Sequence, residues 1–296
     1  MKVKVFAKLN LILSVGEKQG EFHHIDSVAT SVDICDIVEV VPRADSQVNV
    51  CGVECVEKER NTAYKAAVAF RRLFASKTIP GVDIFINKGI PFGGGLGGSS
   101  ADSAAVVYCM CKLAGVNVHS REVHELCSAL GSDINFMLFG GLARLQGKGD
   151  DVTFHKLDKP LYFALTTFDV SMSSGEVYSA FDAWNVRNVK QSKNNVNAEL
   201  LNLLQQGAND KVVALLFNDL QQATMSVNNY AKDYLSFIKS HNLSCNMTGS
   251  GSAFYVPCLT KADAERVADL LNTNGFTTTL CTSVPNGIVE LQGNIG

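Results

Sequence analysis

Between residues 91 and 105 the chain reads Pro91-Phe92-Gly93-Gly94-Gly95-Leu96-Gly97-Gly98-Ser99-Ser100-Ala101-Asp102-Ser103-Ala104-Ala105, and no other stretch restricts the fold as tightly. Five glycines in six residues let the backbone curl with its N–H groups pointing inward. The run follows an alternating apolar segment, Val82-Asp83-Ile84-Phe85-Ile86, and leads into residues 99–114. There Ala104, Ala105, Val107, Met110, Cys111 and Leu113 are spread nearly all round a helical wheel. A helix without a polar face belongs in the middle of a domain. Strand, glycine turn and helix N-terminus together make a nest for a polyphosphate. The hydroxyls of Ser99 and Ser100 suit a phosphate oxygen or a Mg2+ ion. No Lys-Ser or Lys-Thr follows the glycines, no acidic ribose partner stands out downstream, and the protein-kinase catalytic loop is missing. On composition alone, a flexible hinge capping a helix with Ser99 or Ser100 remains the alternative.

The rest of the chain is that of a two-domain α+β protein. Its 296 residues are 46% apolar and 19% charged, which excludes intrinsic disorder. Lys and Arg number 26 against 29 Asp and Glu, a net charge of −3, so a broad basic face for nucleic acid is not expected. No apolar run approaches the ~18 residues of a membrane span, and the first eight residues alternate charge with apolar side chains; a cytoplasmic location is expected. The nine cysteines are odd in number, scattered, and without a second pair at zinc spacing. They read as free thiols of a reducing cytosol.

Strands are expected over Val3–Val15, Ile37–Val41, Val82–Ile86, Leu161–Thr167 and Ala253–Val256. Helices are expected over 61–74, 99–114 and Arg121–Leu130, and after a capping signal at Thr260 and Asp263 with Gly275 as the stop. The polar stretch 185–197 reads as a surface loop, and the pattern restarts near residue 156. The expected division is 1–156 and 157–296.

Pro91, three residues, and then Gly95-Leu96-Gly97-Gly98-Ser99-Ser100-Ala101 resemble the phosphate loop of the GHMP kinases. Ala7-Lys8-Leu9-Asn10-Leu11, with Phe22-His23 about a dozen residues on, is similar to the first motif of one branch of that family. That branch phosphorylates the 2-hydroxyl of a cytidine-diphosphate-linked methylerythritol. Leu130-Gly131-Ser132-Asp133-Ile134-Asn135-Phe136 and Thr248-Gly249-Ser250-Gly251-Ser252-Ala253 resemble two further motifs, so the likeness spans nearly the whole chain in order. It implies an N-terminal domain like ribosomal protein S5 domain 2, a ferredoxin-like C-terminal domain, ATP and Mg2+ as cofactors, and a small-molecule substrate. Neither nucleic acid nor membrane is an expected partner, and oligomeric state is left open.

The resemblance also implies roles. Asp133 would accept the hydroxyl proton and Lys8 would orient it; read from the residues alone, Asp133 is equally a helix cap and Lys8 a strand lysine. Pro91, Gly93, Gly94, Gly95, Leu96, Gly97, Gly98, Ser99, Ser100 and Ala101 would hold ATP, with Asn61 and Lys88 near the adenine. Asn10, Phe22, His23, Tyr178, Gly249, Ser250 and Gly251 would hold the substrate. In this reading His23 meets the pyrimidine edge and Phe22 and Tyr178 sandwich the ring; the alternatives are core aromatics, a surface His23-His24 pair and a plain tight turn at 249–251. The branch's Asp-Gly-Tyr-His is here Gly20-Glu21-Phe22-His23, and its third loop glycine and second loop serine are here Ser99 and Ala101. Competing activities are a GHMP kinase acting on homoserine or mevalonate, and a non-catalytic nucleotide-binding paralogue.

Overall fold

Two long antiparallel strands, β1 (Lys2–Gln19) and β2 (Phe22–Pro42), open the chain. They are longer than the apolar runs that announce them. Three register shifts in their pairing, at Phe6/Ala7, Asn10/Ile12 and Val15/Lys18, let the hairpin twist while it stays continuous. The computed structural model describes residues 1–291 apart from 21, 54, 55, 76, 78 and 186–194. Glu21, Cys55 and most of the expected loop at 185–197 therefore lie outside the described residues.

After β3 (Val48–Cys51) come α1 (Thr62–Leu73), β4 (Val82–Asn87), α2 (Gly98–Ala114), α3 (Arg121–Leu130) and α4 (Ile134–Phe139). β5 (Leu142–Gly147), β6 (Asp151–His155) and β7 (Tyr162–Thr166) lead to α5 (Ser174–Asn185), α6 (Val196–Gln205) and α7 (Asn209–Val212). The chain continues through β8 (Phe217–Asn218), α8 (Gln221–Val227), α9 (Lys232–Ser240), β9 (Asn246–Met247) and β10 (Phe254–Cys258). It closes with α10 (Lys261–Thr273), β11 (Thr278–Thr282) and β12 (Ile288–Leu291). The short β3, β6, β8 and β9 carry too little alternation to stand out in the sequence.

Among the described residues the first sheet runs β12-β1-β2-β4-β3, with β5 on β2, β6 on β5 and β8 parallel to β1. The second is antiparallel, in the order β11-β7-β10-β9. Its alternation separates two cores. Phe163, Leu165, Tyr255 and Cys281 face the apolar cluster under the first sheet, while Ala164, Phe254 and Val256 face a second cluster with Tyr234 and Leu271. Ala7 to Leu13 are buried without a break, so this part of β1 is covered on both faces. No helix among the described residues is long and apolar enough to cross a membrane.

α2 is the helix the sequence expects at the centre. Ala101 to Val107 and Cys109 to Cys111 are all buried. That burial includes a charge. Asp102 meets Lys88 Nζ at 2.9 Å, and Lys88 also reaches Asp36 of β2 at 2.5 Å. Asp36 is wholly buried and its other carboxylate oxygen accepts from the backbone of Gly89 and Ile90, which fixes the approach to the glycine loop. Two carboxylates thus share one ammonium. Burial first, and the neighbouring Asp36 next, push Asp102 up to about 7 against the pull of Lys88. Burial works against the charge on Lys88, but Asp102 and Asp36 outweigh it and raise its pKa.

The raised pKa of Asp102 makes the folded chain bind a proton that the unfolded chain releases near pH 3.8. The stability this provides is present in full below that value and is lost as pH rises through about 7. Asp102→Asn keeps the neutral form at every pH. The melting temperature of the Asn variant relative to the native protein should therefore climb between pH 5 and pH 8. A pH-independent difference in thermal scans would show that Asp102 stays ionised in the fold.

Candidate active site

The walls of a cleft of about 840 Å3 are built from β1, the glycine loop, the turn before α4, α5 and the turn after β9. Alternation along β1 puts Lys8 and Asn10 on the cleft face and Leu9 and Leu11 on the opposite one. Lys8 is 5% exposed. Its Nζ donates to Asn10 Oδ1 at 2.6 Å and lies 3.5 Å from Asp133 Oδ2. Asp133 occupies the residue before α4, where a cap would sit, yet its side chain makes no capping hydrogen bond. The carboxylate turns to Lys8 instead. Of the two roles that its sequence setting allows, the cap is the one not taken up.

The glycine loop is tied to β1 and to the turn after β9 by backbone hydrogen bonds. Leu96 carbonyl accepts from the Lys8 backbone N–H at 3.0 Å, and the carbonyls of Gly93 and Gly94 accept from Ser252 and Ala253. Gly95 and Gly97 both have left-handed φ, +73° and +76°. A Cβ on Gly95 would overlap the Thr248 carbonyl, and one on Gly97 would strike Met137 and approach Lys8. Gly97 precedes the first turn of α2, so the free N–H groups of residues 98–100 open toward the cleft. Ser99 is exposed and Ser100 half-buried, and both line the cleft. Ala101 is fully buried and is absent from the lining.

Asn10 ties the third motif to the first. Its Oδ1 also accepts from the Gly249 backbone N–H at 3.0 Å, and its Nδ2 donates to Ser27 Oγ at 2.9 Å. Thr248 Oγ1 accepts from the Asn10 backbone N–H and donates to Gly95 carbonyl. Every polar atom of the Asn10 amide thus has a protein partner, and the residue positions Lys8 and the turn at 249–251. Gly249, Ser250 and Gly251 line the cleft, with Ser250 Oγ 3.0 Å from Ser174 Oγ of α5.

Pro91, Asn61 and Lys88 line the cleft as well. Asn61 is buried and caps α1, its Oδ1 accepting from Ala63 and Tyr64, which leaves its amide nitrogen for a ligand. Lys88 is held by Asp36 and Asp102. Phe22, His23 and Tyr178 all line the aromatic end of the cleft. Phe22 is 58% exposed at the hairpin tip, while His23 is buried and stacks on Tyr178 at 5.3 Å and 21°. His23 Nδ1 donates to Gly16 carbonyl at 3.1 Å, and its Nε2 lies 2.9 Å from Asp182 Oδ1. Burial, then the charge of Asp133, push the Tyr178 hydroxyl up to about 12, so it stays a neutral donor.

Sequence reasoning passed over Asp36, Asp182, Lys18 and Lys148, all of which stand in or next to this cleft. Asp182 had a signal, since it lies four residues after Tyr178 on one helix face. Asp36 had one too, as one of two charges, with Glu39, inside the otherwise apolar run Ile34–Val41.

The GHMP kinases N terminal domain family matches residues 61–141, which contain α1, the glycine loop and α2. A 4-diphosphocytidyl-2-C-methyl-D-erythritol kinase of Caldicellulosiruptor saccharolyticus is 33% identical over 278 residues, 92% of either chain. The enzyme of the same name from Clostridium perfringens is 31% identical over 92% of this chain and 93% of its own. Among solved structures, a 4-(cytidine 5'-diphospho)-2C-methyl-D-erythritol kinase superposes with a TM-score of 0.76 at 25% identity, covering 95% of this chain and 98% of that one. Homoserine kinase from Cytophaga hutchinsonii shares the fold at a TM-score of 0.71 and 15% identity, covering 97% of each chain. With likeness of this extent, and a glycine loop, a Lys8–Asp133 pair and a third glycine turn meeting in one cleft, the chain belongs to the GHMP kinases, in the 4-diphosphocytidyl-2-C-methyl-D-erythritol kinase family.

Proposed function

We propose that this protein moves the γ-phosphoryl group of ATP onto the 2-hydroxyl of 4-diphosphocytidyl-2-C-methyl-D-erythritol, giving ADP and the 2-phosphate. The observation that carries this reading is the Lys8–Asp133 ion pair, buried on the lysine side and set in the same cleft as the N–H groups of the glycine loop. Phosphoryl transfer to an alcohol needs a held phosphate chain, an acceptor for the hydroxyl proton and fixed positive charge near the transferred group. Residues 97–100 supply the first, Asp133 the second and Lys8 the third. Lys8 also fixes the carboxylate in register with the hydroxyl, because Asn10 holds its Nζ at a set place.

In the same reading Gly249, Ser250 and Gly251 face the substrate's diphosphate, and the Phe22, His23 and Tyr178 end receives the cytosine. Asn61 Nδ2 faces the adenine. The oxygen donors at the loop, the hydroxyls of Ser99 and Ser100, suit Mg2+, which takes hard oxygen ligands. Among the described residues no three His, Cys, Asp or Glu side chains cluster as a metal site, so phosphate oxygens and water would complete the shell. Mg2+ bound with the nucleotide neutralises phosphate charge. We take residues 1–156 and 157–296 as its two domains, with β8 and β12 of the second returning to the first sheet. The eight described cysteines are all free thiols, which favours work in the cytosol.

The direct test is ADP release with Mg-ATP and, in turn, 4-diphosphocytidyl-2-C-methyl-D-erythritol, homoserine and mevalonate. Turnover with the cytidyl compound alone is expected, and turnover only with another alcohol would reject the substrate half of this reading. Asp133→Asn should lower kcat by about 10^2- to 10^4-fold, the usual weight of a general base, while ATP binding measured by calorimetry barely changes. A variant turning over at a near-native rate would remove Asp133 from the chemistry.

A further inference from the structure

The third glycine turn is gripped by two asparagines. The Gly249 backbone N–H donates to Asn10 Oδ1 at 3.0 Å, and the Gly249 carbonyl accepts from Asn218 Nδ2 at 2.8 Å. Asn218 stands on β8 opposite Leu13 of β1, is 8% exposed and forms no part of the cleft wall. Its Nδ2 also donates to the Met247 carbonyl at 2.8 Å, and its Oδ1 accepts from the Leu220 backbone N–H at 2.9 Å, just before α8. Both amide N–H groups and the oxygen are thus engaged inside the protein. One residue on, Thr224 Oγ1 of α8 reaches the Ser250 carbonyl at 3.2 Å.

In a trans peptide the carbonyl and the following N–H point in opposite directions, and the Gly249–Ser250 bond is trans. With the Gly249 carbonyl drawn to Asn218, outside the cleft wall, the Ser250 N–H is aimed to the other side, and Ser250 lines the cleft. The Gly251 N–H is taken by the Thr248 carbonyl, whereas the Ser250 N–H has no acceptor among the described residues. We propose that Asn218 is a positioning residue for the phosphoryl acceptor: by holding the Gly249 carbonyl it presents the Ser250 N–H as a donor to the acceptor's diphosphate. This rests on the substrate reading given above. Glycine is needed at 249 for the same pose, because φ is +56° and a Cβ would come within 2.8 Å of the Gly95 carbonyl.

The test measures KM for the cytidyl substrate and for ATP separately in Asn218→Ala and Asn218→Asp, at alkaline pH and in protein with a native melting profile. Aspartate keeps the size of the side chain and the acceptor for Leu220 but, ionised, has no donor for the two carbonyls. Both variants should raise the KM for the cytidyl substrate about tenfold or more, the worth of a hydrogen bond to a charged group, while the KM for ATP moves less than about twofold. A native KM in the aspartate variant would mean that Asn218 serves only Leu220, and would overturn the proposal. So would an equal rise in both KM values, the mark of a merely structural role. Should the native protein not turn over the cytidyl compound, the substrate reading falls and this proposal with it. A measurement on the native protein is independent of how the variants fold. In amide NMR spectra, saturating CDP should move the Ser250 amide proton downfield, as a charge-assisted hydrogen bond does. An unmoved Ser250 amide in protein that has bound CDP contradicts the assignment.

Discussion

One side-chain amide, that of Asn10, ties the first strand to the third glycine turn at the centre of the cleft. Its oxygen accepts from Lys8 Nζ and from the Gly249 backbone, its nitrogen donates to Ser27, and its own backbone N–H and carbonyl engage Thr248 and Tyr255. The residue is 2% exposed, so none of these bonds competes with bulk water. A buried amide left half-satisfied costs free energy on the order of 1–3 kcal/mol for each orphaned group. The position of Lys8, the third glycine turn and, through Thr248, the phosphate loop are thereby coupled. A shift in one is resisted by the others.

The same region holds an unusual density of buried charge. Lys8 faces Asp133, and Lys88 lies between Asp36 and Asp102. Such groups rarely add net stability, because removing them from water is expensive and their attraction only partly repays it. Their arrangement suits a function instead. Lys8 is open to the cleft and its carboxylate partner is not committed to capping. The Lys88 group, by contrast, anchors the chain that enters the glycine loop at Gly89 and Ile90. One cluster meets the substrate and the other supports the loop that holds the phosphates.

Much of this was legible in the residues themselves. The glycine run and its apolar helix could be read because composition there is extreme, and α3, α10 and β7 because period and capping agree. Strand length was not legible. Residues Ala7 to Leu13 are covered on both faces, which erases the alternation that marks where strands end, and β2 extends well past its apolar stretch for the same reason. The site residues that escaped notice are those whose meaning depends on a distant partner. Asp36 matters because Lys88 and Gly89 come to it, and Asp182 because the hairpin tip folds onto α5. A polar residue in an apolar strand points to a cleft, so Asn10 reads as a ligand contact from the sequence; of the partners that occupy its amide, Gly249 lies 239 residues away.

The chemistry of the cleft turns on whether Asn10 sets the place of Lys8. The measurement is kcat of Asn10→Ala, in protein whose melting and circular dichroism show the native fold. Misplacing a reacting or orienting group by about 1 Å costs on the order of 10^2-fold, so kcat should fall by about that factor while the KM for ATP moves much less. A kcat within twofold of the native value would show that Lys8 reaches Asp133 without the amide.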